Sequence, residues 1–123
     1  DFVFAAVGNS PGEIMTITAN SDTHISWLHK KNVPYSYQVP CISLDGFTAA
    51  NDLSPTHLKI DVDGAETAVI AGAKGLLSGD VLREIFIEID HENDGIFGFL
   101  EARGFSVSWR HDKSQNADVL FTR

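Results

Sequence analysis

The sequence has little cysteine, little basic charge and no long apolar run. One cysteine, Cys41, in 123 residues can form neither an internal disulfide nor a cysteine-based zinc site, which excludes a secreted disulfide scaffold. Nine lysine and arginine residues against 17 acidic residues give a net charge of −8, which disfavours binding to nucleic acid or to an anionic membrane. No apolar run approaches the ~20 residues that a bilayer-spanning helix needs.

Several catalytic fingerprints are also missing from the sequence. It contains no P-loop, no Gly-x-Gly-x-x-Gly turn and no Gly-x-Ser-x-Gly elbow. The five histidines are scattered without metal-ligand spacing, so we expect no bound metal. No basic-then-apolar signal segment opens the chain, which favours a cytoplasmic location. Because the first residue is Asp1 and not Met, we expect that a segment precedes it.

The composition predicts a single folded domain, since 43% of the residues are hydrophobic and 21% are charged. Phe2–Val7 and Glu13–Thr18 flank a Pro-Gly turn and predict a β-hairpin. The polar stretch that follows predicts a loop with a short helix around Ile25–Lys30. Val39–Leu44 predicts a further strand, which Pro40 places at the edge of a sheet because proline cannot donate a backbone hydrogen bond.

Strand and helix patterns alternate from Leu58 onward. The predicted strands are Leu58–Val62, Glu84–Asp90, Phe105–Arg110 and Ala117–Thr122, and the predicted helices are Val69–Leu77 and Glu92–Arg103, the latter ended by Gly104. This order predicts an α/β fold in which the first two of these strands are adjacent and parallel, joined by a right-handed crossover. The last two strands are expected to form an antiparallel hairpin.

Acidic residues follow two of the strands that we expect to be neighbours. Asp61 and Asp63 end one strand, and Glu88 and Asp90, followed by His91, end the next. Ligands of open α/β sheets bind outside the carboxyl ends of the strands, so these side chains are the candidate site. Carboxylates held close together recruit a proton, a cation or a hydroxyl-bearing ligand.

Each of these acids also has a structural interpretation. Asp61 interrupts a strand that we expect to be buried on both faces, so it needs either a ligand or a partner such as Lys59. Asp63 and Glu66 have the spacing of a helix capping box. The segment Asp90–Glu101 has part of the spacing of a calcium loop, but a strand precedes it where an entering helix is required.

The segment Leu58–Glu66 resembles the signature of the FkbM-type methyltransferases, in which Lys-Ile-Asp-Val-Glu-Gly-x-Glu ends the fourth strand. Ile42–Asp45 is similar to the family's Leu-Asp segment, and Val69–Leu77 is similar to its Val-Leu-x-Gly-Ala helix. Ile85–Ile89 resembles the fifth strand, and Ala5–Gly12 resembles the hairpin after the third. The resemblance covers nearly the whole chain, with Asp63 where the family usually has Glu.

The resemblance implies a partial Rossmann-like methyltransferase sheet, mostly parallel with a C-terminal antiparallel hairpin. It implies that S-adenosylmethionine donates a methyl group to a small-molecule acceptor. The methylated group would be a hydroxyl of a sugar or natural product. We predict Asp61 and Glu88 as catalytic residues, with Asp61 and Asp63 as cofactor ligands. Glu66 and His91 are the predicted substrate ligands.

The family's glycine-rich loop after the first strand and its acid after the second strand do not occur in this sequence. We therefore expect residues 1–123 to form one incomplete methyltransferase domain that lacks the main cofactor-binding turn. The alternative is a non-catalytic acidic α/β module that binds a cation or a protein partner. Cofactor binding by a longer protein that contains this domain distinguishes the two.

The first testable prediction is that the 123-residue chain alone does not bind S-adenosylmethionine appreciably. The turn that would approach the cofactor is missing, and backbone amides of such turns supply much of the binding. Isothermal titration calorimetry measures this directly. Micromolar affinity would place the cofactor site elsewhere than we predict.

Overall fold

The computed structural model describes residues 2–19, 35–62, 64–93 and 95–123 of an α/β chain. Its elements are β1 (Ala6–Val7), β2 (Ile14–Ala19), β3 (Tyr35–Ile42), α1 (Leu44–Ala50), β4 (His57–Ile60), α2 (Glu66–Ala71), α3 (Lys74–Ser78), β5 (Glu84–Asp90), a 3₁₀ turn (His91–Asn93), α4 (Gly95–Glu101), β6 (Ser106–Asp112) and β7 (Asn116–Thr122). The helix predicted around Ile25–Lys30 lies outside the described residues. Within them, no helix is long and apolar enough to cross a membrane.

The strands form two mixed sheets, with the orders β1-β3-β2 and β4-β5-β7-β6. As predicted, β4 and β5 are adjacent and parallel, and β6 and β7 are antiparallel. The prediction of a mostly parallel sheet is wrong, because β7 pairs antiparallel with β5 as well as with β6. The Rossmann-like topology stays a prediction. The connection from β6 to β7 spans only residues 113–115, which suffices for a hairpin but not for a parallel crossover.

The first sheet corrects two predictions. β1 and β2 do not form a hairpin, since both pair with β3, β1 in parallel and β2 antiparallel. Pro40 therefore lies in the central strand and not at an edge. Cys41 directs its N–H to Glu13 on the β2 side, so the nitrogen of Pro40 faces β1, which pairs with β3 only at Cys41 and Ile42. The missing donor thus interrupts no ladder hydrogen bond.

The core lies on one face of the second sheet. Side chains of β5 and β7 alternate between fully buried and partly buried along both strands. The buried face packs against apolar side chains of α2, α3 and α4 and against Phe105. The other face, with Phe86 and Glu88, is only partly buried. The expectation that the strand before Asp61 is buried on both faces is wrong, because His57 and Lys59 of β4 are exposed. The core side chains are Ile85, Ile87, Ile89, Ala117, Val119 and Phe121 from the strands and Val69, Ile70, Leu77, Ile96 and Leu100 from the helices.

A close backbone contact divides the helix that the sequence predicts over Val69–Leu77. α2 ends at Ala71 and α3 begins at Lys74, with Gly72 between them. An ideal Cβ on Gly72 would lie 2.1 Å from the carbonyl oxygen of Gly8. Only glycine fits at this position, where the end of the first sheet approaches the helices of the second.

Asp45, in the first turn of α1, contacts the same region between α2 and α3. Its backbone N–H donates to the carbonyl of Gly72 at 3.0 Å, and its two carboxylate oxygens accept from the N–H groups of Gly75 and Leu76, each at 2.8 Å. These amides belong to the first turn of α3, where a carboxylate also opposes the positive end of the helix dipole. The Leu-Asp segment therefore has a structural role in this fold.

The end of α4 confirms the predicted C-cap at Gly104. Gly104 has φ of 84°, its N–H donates to the carbonyl of Glu101, and the N–H of Phe105 donates to that of Leu100. This pair of bonds is the Schellman motif, which needs a left-handed residue at the glycine position. The helix itself is shorter than predicted, since the 3₁₀ turn precedes it.

The Gly72 contact predicts a position-specific cost for an added methyl group. Gly72→Ala places Cβ against the backbone of Gly8, so the free energy of unfolding should fall by about 1–3 kcal/mol or more. Gly98→Ala is the matched control, because Gly98 lies in α4 with no atom within 4 Å of an added Cβ. Alanine there should stabilise by up to about 1 kcal/mol. Equal changes in the free energy of unfolding for the two variants, measured by urea denaturation, would contradict the close contact at Gly72.

Candidate active site

A cleft of about 430 Å³ lies at the carboxyl end of β5 and is lined by Asp90, His91, Glu92 and Gln115. Asp90 is the last residue of β5, and the 3₁₀ turn that follows supplies the next two residues. The fourth residue comes from the connection between β6 and β7. The cleft therefore occupies the edge at which ligands of open α/β sheets bind.

The β6–β7 connection holds His91 by two hydrogen bonds. The backbone N–H of His91 donates to the carbonyl of Gln115 at 3.1 Å, and its Nε2 lies 3.2 Å from the carbonyl oxygen of Lys113. A carbonyl can only accept, so this contact requires the hydrogen to be on Nε2. In the neutral ring, Nδ1 is then the nitrogen that can accept a proton.

The turn after β4 lies beside Asp90, next to the cleft. Gly64 has φ of 91°, and an ideal Cβ on it would lie 3.7 Å from Oδ2 of Asp90. The structure thus brings the ends of β4 and β5 together, as the sequence predicts. Asp63, the predicted cofactor ligand beside Gly64, lies outside the described residues, and its role stays a prediction.

Asp61 is exposed and forms an ion pair with Lys59. Its side chain is 53% exposed, and the carboxylate lies 2.6 Å from Nζ of Lys59. The expectation of a buried carboxylate within an apolar strand is wrong, because β4 ends at Ile60 and Asp61 lies beyond it. An exposed ion pair of this kind contributes little to stability, about 0–1 kcal/mol. The predicted catalytic and cofactor-binding roles of Asp61 stay predictions.

Glu88 lies on the partly exposed face of the sheet, in an ion cluster outside the cleft lining. Its carboxylate accepts from Nζ of Lys113 at 2.5 Å and from Nδ2 of Asn116 at 2.8 Å. Lys113 also donates to Asp118 at 2.8 Å. These hydrogen bonds raise the pKa of Lys113 above its ordinary value, and the hydrogen bond from Lys113 holds the pKa of Asp118 below its usual range. The catalytic role of Glu88 stays a prediction.

Glu66 is buried at the start of α2, with 1% of its surface exposed. Oε1 accepts from the N–H of Gly64 and Oε2 from Nδ2 of Asn93, both at 2.8 Å. The predicted capping box needs Asp63 as the N-cap and Glu66 as the third helical residue. It is wrong, because Ala65 is the N-cap and Glu66 is the first helical residue. Glu66 still satisfies a backbone amide before the helix. Its predicted role as a substrate ligand stays a prediction.

The described residues contain no group of three or more His, Cys, Asp or Glu side chains that could hold a metal ion. The segment after Asp90 also lacks the form of a calcium-binding helix–loop–helix. It follows strand β5, and α4 extends for only seven residues.

Sequence reasoning missed three residues of this region, Glu92, Asn93 and Gln115. Gln115 reaches the cleft only because β7 lies beside β5, and nothing in the local sequence marks that pairing. Asn93 pairs with Glu66 across 27 residues of sequence. Asp90 was recognisable as an acid that ends a strand.

The fold is an α/β domain with a polar cleft at the carboxyl end of β5. The family model described as the methyltransferase FkbM domain matches residues 2–107. The chain belongs to this methyltransferase family. Neither the curated proteins nor the solved structures give a match.

The ion cluster around Lys113 predicts how stability depends on pH. The pKa of Asp118 is lowered from its ordinary 3.8 by folding, so its stabilising contribution is present above that pH and is lost as the pH falls further. The pKa of Lys113 is raised, so its contribution persists below its ordinary 10.5 and is lost only in alkali. Acid therefore removes the contribution of Asp118 while Lys113 keeps its charge.

Asp118→Asn should lower the melting temperature at neutral pH, and the difference from the wild type should shrink at pH 3. Differential scanning calorimetry at both pH values measures this. The control is Asp80→Asn, since Asp80 is an exposed acid outside the cluster. A difference for Asp118→Asn that stays constant between the two pH values would show that the ion pairs do not carry the effect.

Proposed function

We propose that this chain is part of a methyltransferase that uses S-adenosylmethionine to methylate a hydroxyl group of a sugar or natural product. The observation that carries the proposal is the family match over residues 2–107. The cleft at the carboxyl end of β5 supports it, because methyl transfer to an alcohol needs a group that removes the hydroxyl proton. Asp90 and His91 line that cleft.

His91 is the proposed base. Its Nε2 hydrogen is directed to the carbonyl of Lys113, which leaves Nδ1 to accept the proton of the acceptor hydroxyl. A backbone carbonyl is a fixed partner, so the ring is held in one tautomer and one orientation. This restriction favours a reactive geometry in which the oxygen approaches the methyl group in line.

Asp90 is the proposed orienting group beside this base. A carboxylate accepts hydrogen bonds at both oxygens, and a sugar offers several hydroxyl donors. The side chain of Gln115 lines the same cleft and provides both a donor and an acceptor. Such a combination suits a polyhydroxylated acceptor better than an apolar one.

Asp61 and Asp63 remain the proposed contacts to the cofactor. The exposed carboxylate of Asp61, beyond the end of β4, fits an amino or hydroxyl group of S-adenosylmethionine, for which Lys59 would be displaced. When bound, the cofactor supplies the electrophilic methyl group. Asp61 also remains a proposed catalytic residue that orients the acceptor.

Glu88 and Glu66 remain the other proposed members of the site. For Glu88 to act as a second catalytic carboxylate, it has to release Lys113 or Asn116. For Glu66 to bind substrate, it has to release Gly64 or Asn93. Both steps exchange a hydrogen bond within the protein for one to a ligand.

The test is methyl transfer from radiolabelled S-adenosylmethionine to a panel of sugars and hydroxylated natural products, catalysed by a longer protein that contains this domain. His91→Asn and Asp61→Asn should each lower turnover by about 10²–10⁴-fold, with little change in melting temperature. The matched control is His57→Asn, because His57 is exposed at the opposite end of β4 and faces Glu84. Equal turnover in all three variants would remove His91 and Asp61 from the mechanism.

A further inference from the structure

A buried hydrogen-bond network joins the two loops that flank the cleft. One oxygen of Glu66 accepts from the backbone of Gly64, in the turn after β4, and the other accepts from the side chain of Asn93, in the 3₁₀ turn after β5. The carboxylate is almost completely removed from water. A buried carboxylate is strongly unfavourable unless its oxygens are hydrogen-bonded, so both contacts are needed.

Thr67 fixes the orientation of the Asn93 amide. Its hydroxyl donates to Oδ1 of Asn93 at 3.2 Å, and Nδ2 of the same amide donates to Glu66. The carboxylate can only accept, so the amide nitrogen must face Glu66 and the amide oxygen must face Thr67. Asn93 thus connects the start of α2 to the turn that carries His91.

We propose that Asn93 is a positioning residue for the methyl-transfer site and acts through Glu66. The Glu66–Asn93 pair holds the turn at Gly64 against the 3₁₀ turn, and Gly64 in turn approaches Asp90. Loss of the pair releases the turn at Gly64 from the 3₁₀ turn, so the segment that carries His91 and Glu92 is no longer held in one position. The role in methyl transfer rests on the proposed function, whereas the pair itself does not.

Asn93→Asp tests the pair, because it places a second carboxylate against Glu66 with no donor between them. The amide hydrogen of Gly64 should then exchange with solvent roughly 10-fold faster or more, since its acceptor is displaced. NMR-detected hydrogen exchange on the 123-residue chain measures this without any ligand. Asn51→Asp is the matched control, since Asn51 is exposed and its side-chain amide donates to the carbonyl of Phe47, far from the Glu66–Asn93 pair.

The double variant Glu66→Gln/Asn93→Asp is the decisive measurement. The new glutamine accepts from Gly64 and donates to the new aspartate, whose other oxygen accepts from Thr67, so the number and positions of the hydrogen bonds are restored. Exchange at Gly64 should return to within a few-fold of the wild-type rate. If Asn93→Asp does not fold, folding of the double variant with slow exchange supports the pair equally.

In a longer protein that contains this domain, kcat for methyl transfer should fall by up to about 10²-fold with Asn93→Asp, with little change in KM for S-adenosylmethionine, and should not fall with the control Asn51→Asp. A wild-type rate of amide exchange at Gly64 in Asn93→Asp would show that the Glu66–Asn93 hydrogen bond does not hold Gly64. The same follows if the exchange rate does not recover in the double variant. Faster exchange at Gly64 in Asn93→Asp without a fall in kcat would overturn the positioning role. Absence of methyl transfer by the wild type would overturn the proposed function and leave the exchange result to stand separately.

Discussion

The contact between Gly72 and the carbonyl of Gly8 is the constraint on which the arrangement of this chain depends. No side chain fits there, and the helix that follows β4 ends at Ala71, directly before this glycine. Asp45 then caps the second half of the helix with two hydrogen bonds. Together these interactions place the first sheet against the helices that cover the buried face of the second, and so fix where α2 lies.

The antiparallel position of β7 builds the other half of the cleft. Because β7 pairs with β5 along its whole length, the connection from β6 arrives beside the carboxyl end of β5. It supplies the carbonyls of Lys113 and Gln115 that hold His91, and it supplies a side chain of the lining. The departure from a parallel sheet is therefore what encloses the proposed active site.

The elements with a clear apolar period could be predicted from the sequence. The alternation of Ile85, Ile87 and Ile89 gave β5 with its observed bounds, because one face of that strand is buried and the period of a strand is two. The break at Gly72 could not be predicted, since it depends on a backbone segment more than 60 residues earlier in the sequence. Local pattern also cannot show which strands pair.

The candidate site was predictable as a location and less so as a set of contacts. Acids that follow strands identified the edge of the sheet at which the cleft lies, but their burial depends on where each strand ends. Asp61 lies one residue past β4 and is exposed, whereas Glu66 is buried against Asn93 from another loop. Such pairings arise from tertiary packing and leave no spacing signal in the chain.

The central claim, that the acceptor binds at the carboxyl end of β5, is tested most directly by mapping amide chemical shifts of the ¹⁵N-labelled chain. The probe is a hydroxylated compound that a longer protein containing this domain methylates. The account predicts that the shifts cluster at Asp90, His91, Glu92 and Gln115, the residues that line the cleft. Shifts confined to the opposite end of the sheet, around His57 and Glu84, would contradict it.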